Sequence, residues 1–267
     1  NTHYVYRSDA PMDPNSLPTP IATLGQGISV YEDTDNIVEG NTYYYRVDAE
    51  KMGLTIPGYE IEHLALNILI YLASVGNKVV KIDRDGNEIW TFTGFTGALR
   101  GIAVDNNNGY VYSGGYNDAI KKINANDGTE VTSGGWPFTG HTDTINDIVV
   151  DSNGYVYSAS TDTDIKKINP DGTEVISGGW PFNLGSNAPF VIMLDLSEDI
   201  YIGGANYIKK IDSNANEIWS FNGYSDRVEG ITVDETNGYV YTGSHDNNVK
   251  KINANDGTEV TSGGWPF

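Results

Sequence analysis

With 267 residues, the chain has room for one large domain or two ordinary ones. A net charge of −20 sets most of the surface against a phosphate backbone and excludes nucleic acid as a partner. The absence of cysteine excludes a disulfide framework and a thiolate metal site; no apolar run reaches the roughly 18 residues of a membrane-spanning helix, and Asn1 opens no basic-then-apolar leader.

Residues 1–60 form the first module. They hold seven of the 18 tyrosines, in runs that alternate as half-buried strands do. In THYVYRS, Tyr4 and Tyr6 share one face and Val5 and Arg7 the other. In NTYYYRVDA, Tyr43, Tyr45, Val47 and Ala49 line one face, opposite Tyr44, Arg46 and Asp48. The proline-punctuated DAPMDPNSLPTP and the polar YEDTDNIVEGN connect such strands. The reading is a small antiparallel sandwich.

YVYRS, YEDT and EGNTYYYRVDA together resemble the second half of a fibronectin type III domain. The resemblance implies that Tyr43, at the Gly40-Asn41-Thr42-Tyr43 strand entry, is a corner tyrosine bonding back to the preceding turn. The strands equivalent to that family's first two are missing before Asn1, so a fragment of a longer chain is expected. RSDAPMDPNSLPTPIATL with YEDT and TYYYRV is also similar to modules of tailed-bacteriophage virion proteins. At the join, GYEIEHLAL (58–66) has two places open to it, the last strand of the sandwich or the innermost strand of the next module's first sheet.

From residue 61 the chain repeats. KKINANDGTEVTSGGWPF stands at Lys121–Phe138 and again, letter for letter, at Lys250–Phe267, with relatives at 81–92, 166–182 and 209–221. Aligned on Asp83, Asn124, Asn169, Asp212 and Asn253, the five copies step by 41, 45, 43 and 41 residues. Each copy reads as four short strands, with Asn-Gly and Asp-Gly steps supplying the positive φ of tight hairpins. A period of this length built of short strands implies a β-propeller with five visible four-stranded blades, at about 61–95, 101–139, 146–183, 190–222 and 229–267. If GYEIEHLAL belongs to the sandwich, chain beyond Phe267 is expected to supply the first blade's inner strand by ring closure.

Trp90, Trp136, Trp180, Trp219 and Trp265 all fall in one register, and the expected role is a structural wedge between blades. The four Lys-Lys pairs lie inside strands, where the two side chains point to opposite faces and one lays its stem over the neighbouring blade. Thr139–Asn169, with Gly140-His141 at its front, resembles a WD-repeat blade, although Ile-Asn replaces the closing Trp-Asp. DRDGNEIWTF resembles a quinoprotein-type blade.

Near-identical blades leave no group that differs from its surroundings, so no enzyme is expected. His3, His63, His141 and His245 are scattered without ligand spacing, no Ser-His-Asp set can be assembled, and the NDGTE carboxylates have the spacing of a hairpin turn rather than a calcium loop. Neither metal nor cofactor is expected. In a propeller the blade-to-blade joins and the connections between second and third strands emerge on one side, and these loops differ most between copies. They offer Phe95, Arg100, Tyr116, His141, Asp143, Tyr224, Asp226, Arg227 and His245, a mixture that suits sugars or a protein loop.

The expected function is a non-enzymatic virion protein of a tailed phage, a tail appendage or capsid decoration. It would contact other virion proteins through the first module, assemble as a homo-oligomer without inserting in a membrane, and display the propeller to a host-surface glycan or protein. Alternatives are a secreted propeller enzyme acting on polysaccharide, a cell-surface adhesin, or a WD-like scaffold.

Overall fold

The computed structural model describes residues 2–13, 16–24, 42–51, 54–56, 60–64 and 69–267, and no helix occurs among them. The chain divides into two compact units, Asn1–Leu69 and Ile70–Phe267.

In the first unit the strand Thr2–Ser8 pairs along its whole length with Thr42–Lys51, placing Val5 opposite Val47. Ala22–Leu24 adds outside Thr2–Ser8, while Leu54–Ile56 and Glu60–Leu64 share the other edge of Thr42–Lys51. The described strands thus build one antiparallel sheet. The stretch with two open places pairs here, with Tyr43 opposite His63. The Tyr43 side chain, and so its expected corner bond, lies outside the described residues.

The second unit is five antiparallel sheets in chain order. Blade 1 comprises Ile70–Ser74, Lys78–Ile82 and Glu88–Phe92. Blade 2 comprises Leu99–Asp105, Tyr110–Gly115, Ile120–Asn124 and Glu130–Val131. Blade 3 runs through Ile145–Val150, Val156–Ser160, Asp164–Ile168 and Phe182–Asn183. Blade 4 has Pro189–Leu194, Ile200–Gly204, Ile208–Ile211 and Glu217–Phe221, and blade 5 has Val228–Asp234, Tyr239–Ser244 and Val249–Asn253. The first strands of blades 2 to 5 lie side by side, so they are the innermost. The arrangement is β-propeller-like.

Two sheets have three strands where four were expected. Blade 1 has no inner strand, because Glu60–Leu64 is used in the first unit. In blade 5 the outer segment, identical in sequence to that of blade 2, touches the ladder at two places on either side of TSGG without forming a continuous strand. The Ile252 to Glu259 bridge, the Val260 N–H to Lys251 carbonyl bond and the Val249–Phe267 backbone bonds stand in place of that strand. The same interruption splits the outer strands of blades 2 and 3, whereas EIWTF and EIWSF in blades 1 and 4 are single continuous strands, each with one bulge, at Ile89 and Ile218.

Each hydrophobic core is shared by two neighbouring sheets. Tyr112, Ile120 and Trp136 of blade 2, for example, pack with Ile145, Ile148 and Val156 of blade 3. A repeated clamp closes each junction. The indoles of Trp90, Trp136, Trp180 and Trp219 lean on Tyr71, Tyr112, Tyr157 and Tyr201 of their own sheets, with ring centroids 5.9, 5.2, 5.5 and 5.9 Å apart. Their Nε1 atoms donate across the junction to the carbonyls of Ala125, Pro170, Ser213 and Ala254 at 3.1, 3.1, 3.1 and 3.0 Å. Each acceptor sits in a hairpin turn, directly after the Asn or Asp that marks the repeat. Burying such a ring stabilises by roughly 2 to 3 kcal/mol.

The lysine pairs divide as the alternation of a strand requires. Lys121, Lys166, Lys209 and Lys250 reach Glu130, Glu174, Glu217 and Glu259 on their own outer segments at 2.6, 2.7, 2.6 and 2.7 Å. On the opposite face Lys81, Lys122 and Lys167 donate to the carbonyls that the tryptophans use, at 2.8, 3.0 and 3.2 Å. Burial depresses the pKa of Lys122 and Lys167. Lys210 instead turns to Asp195 and Asp199 at 3.1 and 2.9 Å.

Candidate functional site

Three of the residues expected on a binding face are interior. Phe95, His141 and Tyr224 are 5%, 4% and 6% exposed and occupy one repeated position after a glycine. Each ring meets the edge of an outer-strand phenylalanine, Phe92, Phe138 or Phe221, at 5.5, 6.0 and 5.5 Å. A side chain directed into a sheet-to-sheet core cannot face a ligand, whatever the loop around it does.

His141 also joins a set that sequence reasoning did not assemble. Its Nδ1 lies 2.8 Å from Asp162 Oδ2 and its Nε2 2.7 Å from Ser158 Oγ. Asp162 further accepts from the Thr142 N–H at 3.0 Å. Burial raises the carboxylate's pKa, but the His141 and Thr142 hydrogen bonds outweigh it and hold Asp162 below the ordinary range. The order Asp–His–Ser matches a hydrolase triad, yet Ser158 has no exposed surface, so no substrate reaches its hydroxyl. Blade 5 fills the same place with Tyr224 bonded to Thr242, a pair with no base at all.

The inner strands carry a second repeated arrangement, exposed at Arg100 and Glu229, half-buried at Phe190 and interior at Asn146. In blades 2 to 5 the pairing of first and second strands skips one residue at the same place. Leu99 and Gly101 face consecutive residues of the second strand, as do Ile145 and Asp147, Pro189 and Val191, and Val228 and Gly230. The skipped residues are Arg100, Asn146, Phe190 and Glu229, four β-bulges in register. A bulge leaves its extra residue unpaired and re-aims its side chain. Backbone bonds tie off three of them: Tyr116 N to Ala98 O at 3.0 Å, Thr161 N to Thr144 O at 2.9 Å and His245 N to Arg227 O at 2.9 Å.

Each bulge residue has a partner drawn from the second-strand ends or the neighbouring blade, and the contacts are of three kinds: arginine over an aromatic ring, amide hydrogen bonds and a carboxylate ion pair. Arg100 lies over the ring of Tyr116, 5.9 Å from its centroid, and that ring is 59% exposed. Asn146 Nδ2 donates to Thr161 Oγ1 at 3.1 Å and to Pro189 O at 2.8 Å, leaving its Oδ1 buried without a partner. The Phe190 ring stands beneath Arg227, 5.6 Å away. Glu229 ion-pairs with Arg227 Nε at 2.6 Å and hydrogen-bonds to His245 Nε2 at 2.9 Å. Arg227 therefore bridges the pairs of blades 4 and 5, and Asn146 reaches from blade 3 to blade 4. Arg100, Tyr116, Arg227 and His245 were legible as candidates; Asn146, Phe190 and Glu229 were not. Their signal is that one register position changes chemical class in every copy.

Asp147 follows the Asn146 bulge. Its carboxylate accepts from the backbone N–H of Ile148 and, across the junction, of Ile192, both at 2.9 Å, and desolvation raises its pKa to about 6 against these bonds. Among the described residues no group of three or more His, Asp or Glu side chains is placed to hold a metal ion.

The model of the family described as WD domain, G-beta repeat, matches residues 215–253. That span is the outer strand of blade 4 with the three strands of blade 5, where Gly223-Tyr224 stands at the place of Gly140-His141. Together with the stacked antiparallel sheets, the match fits a WD-repeat, propeller-like domain in the second unit. No curated protein matches the chain.

Proposed function

We propose that this chain is a non-enzymatic attachment protein that recognises a host-surface glycan at the rim of side chains set by the four bulges. The observation that carries this reading is the contrast within one fold: an invariant clamp between blades, and at one repeated bulge position unlike groups, of which Arg100 and Glu229 are exposed and Phe190 is half-buried, while Asn146 is turned inward. The aromatic faces of the exposed Tyr116 and the half-buried Phe190, beside guanidinium and carboxylate groups, are the groups that stack on and hydrogen-bond to sugar rings. Glu229 is committed to Arg227 and His245, which suits a binding group better than a free acid or base. The proposed setting is the surface of a tailed-phage particle, with the first unit contacting other virion proteins. That part rests on the resemblance of the tyrosine-rich first module.

The test is a glycan array probed with the whole chain, repeated with Arg100→Ala and Arg227→Ala. Binding to a defined glycan class that falls at least tenfold in the variants is the expected result. Absence of glycan and host-cell binding, or binding indifferent to both substitutions, defeats the proposal. Cleavage of a bound polysaccharide would replace it with the enzymatic alternative.

A further inference from the structure

Asn-Gly-Tyr occurs in the chain at Asn108-Gly109-Tyr110, Asn153-Gly154-Tyr155, Asn222-Gly223-Tyr224 and Asn237-Gly238-Tyr239. An asparagine before glycine carries a reaction of its own. The glycine nitrogen, once it has lost its proton to water or hydroxide, attacks the asparagine Cγ, and glycine has no side chain to obstruct the approach. The reaction needs the glycine N–H unengaged and the amide able to turn towards it. With identical tripeptides, only the fold sets these sites apart.

Asn108, Asn153 and Asn237 are locked. They stand in the turns between first and second strands of blades 2, 3 and 5, where the following glycines have φ 73°, 83° and 70°. The N–H groups of Gly109, Gly154 and Gly238 donate to the carbonyls of Asp105, Asp151 and Asp234 at 2.9, 3.1 and 2.8 Å. The amides are held as well: Asn108 Nδ2 donates to Asp105 Oδ2 at 2.9 Å, Asn153 Nδ2 to Glu198 Oε2 at 3.3 Å and Asn237 Nδ2 to Asp234 Oδ2 at 2.8 Å.

Asn222 and Gly223 lie instead in the join from blade 4 to blade 5, and both are exposed. Among the described residues neither the Gly223 N–H nor the Asn222 side chain has a hydrogen-bond partner. At the same place blades 1 and 2 have Thr93-Gly94 and Thr139-Gly140, which cannot react in this way. Blade 3 has Asn183-Leu184, but the amide donates to Asp164 Oδ1 at 2.6 Å and the Leu184 N–H to Thr163 O at 2.9 Å. The unlocked pair spans two fixed points. Phe221 is paired with Ile208, and the buried Tyr224 is bonded to Thr242 and meets the Phe221 ring edge-on at 5.5 Å.

We propose that Asn222 is a site of covalent modification by deamidation. The Gly223 N–Cγ bond forms, the Cγ–Nδ2 bond breaks and ammonia leaves with the proton; water then opens the cyclic imide at either carbonyl, giving aspartate or isoaspartate, with no oxidation or reduction. Either product places a new negative charge on the segment that leads to Arg227 and Glu229. Isoaspartate also lengthens the backbone between Phe221 and Tyr224 by one carbon, which loosens their contact. The modification is independent of what the bulge rim binds.

The test incubates the whole chain in mildly alkaline buffer at physiological temperature, with and without urea. Samples are digested at intervals, and mass spectrometry of the separated peptides reads aspartate and isoaspartate at each Asn-Gly step. In the folded chain, conversion at Asn222 is expected to be at least tenfold faster than at Asn108, Asn153 or Asn237, and in urea the rates should draw together to within a few-fold. Asn222→Thr, which installs the residue of blades 1 and 2, should remove the early acidic species seen on ion exchange. Equal rates in the folded chain, or faster conversion at Asn108, Asn153 or Asn237, overturn the proposal. A lead for Asn222 that persists undiminished in urea also overturns it, because the fold would not be its cause, as do early acidic species that survive Asn222→Thr.

Discussion

Lys121–Phe138 and Lys250–Phe267 are one sequence in two places, so they isolate what a neighbouring blade contributes to stability. Trp136 and Trp265 have the same local chain and the same in-blade partner, Tyr112 at 5.2 Å and Tyr241 at 5.5 Å. Only Trp136 has a blade on its other side; it is 4% exposed and donates to Pro170 at 3.1 Å, while Trp265 is half-buried. Trp136→Ala therefore removes a fully buried indole, a change that costs about 3 to 5 kcal/mol, including about 1 kcal/mol for the hydrogen bond. Trp265→Ala removes the in-blade half alone, and its cost is about 1 to 2 kcal/mol. Urea denaturation followed by far-UV circular dichroism, at concentrations too low for self-association, compares the two. The stability of stacked repeats is close to a sum of repeat and interface terms, so the difference reports the interface. Equal costs for the two substitutions, within about 0.5 kcal/mol, would refute the clamp as the source of cohesion.

The same twin design applies to Gly134 and Gly263, both at φ 69°. Left-handed strain of roughly 1 to 2 kcal/mol is common to Gly134→Ala and Gly263→Ala, but only the former drives a Cβ to 2.3 Å from Asp171 O, so its melting temperature falls further. His141→Ala strands Ser158 and Asp162 in the interior and costs about 2 to 4 kcal/mol in denaturant. Because the folded pKa of Asp162 is depressed, its contribution is fully present above the ordinary carboxylate range and is lost as pH falls from there through the lower folded value. The gap between wild type and His141→Ala should accordingly narrow in acid. Asp147 has the opposite sign: its folded pKa, about 6, exceeds the ordinary 3.8, so its stabilisation is full below pH 3.8 and lost as pH rises through 6. Between about pH 4 and 7 the wild type should lose up to roughly 3 kcal/mol relative to Asp147→Asn, seen in parallel urea titrations; a constant difference would contradict the assignment.

Much of the propeller-like unit was legible because repetition fixes phase. Once Asp83, Asn124, Asn169, Asp212 and Asn253 were aligned, the turns, the tryptophan register and the two faces of each lysine pair followed from strand alternation. The site was legible only in part, because loop residues were weighed as one class. Phe95, His141 and Tyr224 follow a glycine in three copies, and a position that recurs in register carries a structural duty. Arg100, Asn146, Phe190 and Glu229 recur in place but not in kind. A bulge has no composition signal of its own, so period-two alternation runs through it unnoticed. The TSGG interruption was visible as an insertion, yet its consequence, an outer strand held at two points, depends on pairing distances that sequence does not contain. GYEIEHLAL stayed open because an apolar-polar alternation suits an edge strand and an inner strand equally.

The two kinds of repeated position differ in how each is bonded. A clamp residue has obligations on both sides of a junction: Trp136 must fill the space against Tyr112 and also reach Pro170, so neither its size nor its donor can change without loss in two sheets. A bulged residue has no ladder partner opposite it, and the backbone around it is closed by bonds that belong to its neighbours, such as Tyr116 to Ala98 and His245 to Arg227. Its side chain can therefore change from guanidinium to amide to phenyl to carboxylate while the register of the sheet is kept. Copying a blade multiplies both kinds of position at once, and divergence afterwards is confined by bonding to the rim. A scaffold of near-identical blades is for that reason suited to presenting unlike groups side by side, and the rim, rather than the buried His141 set, is where recognition chemistry has room to be built.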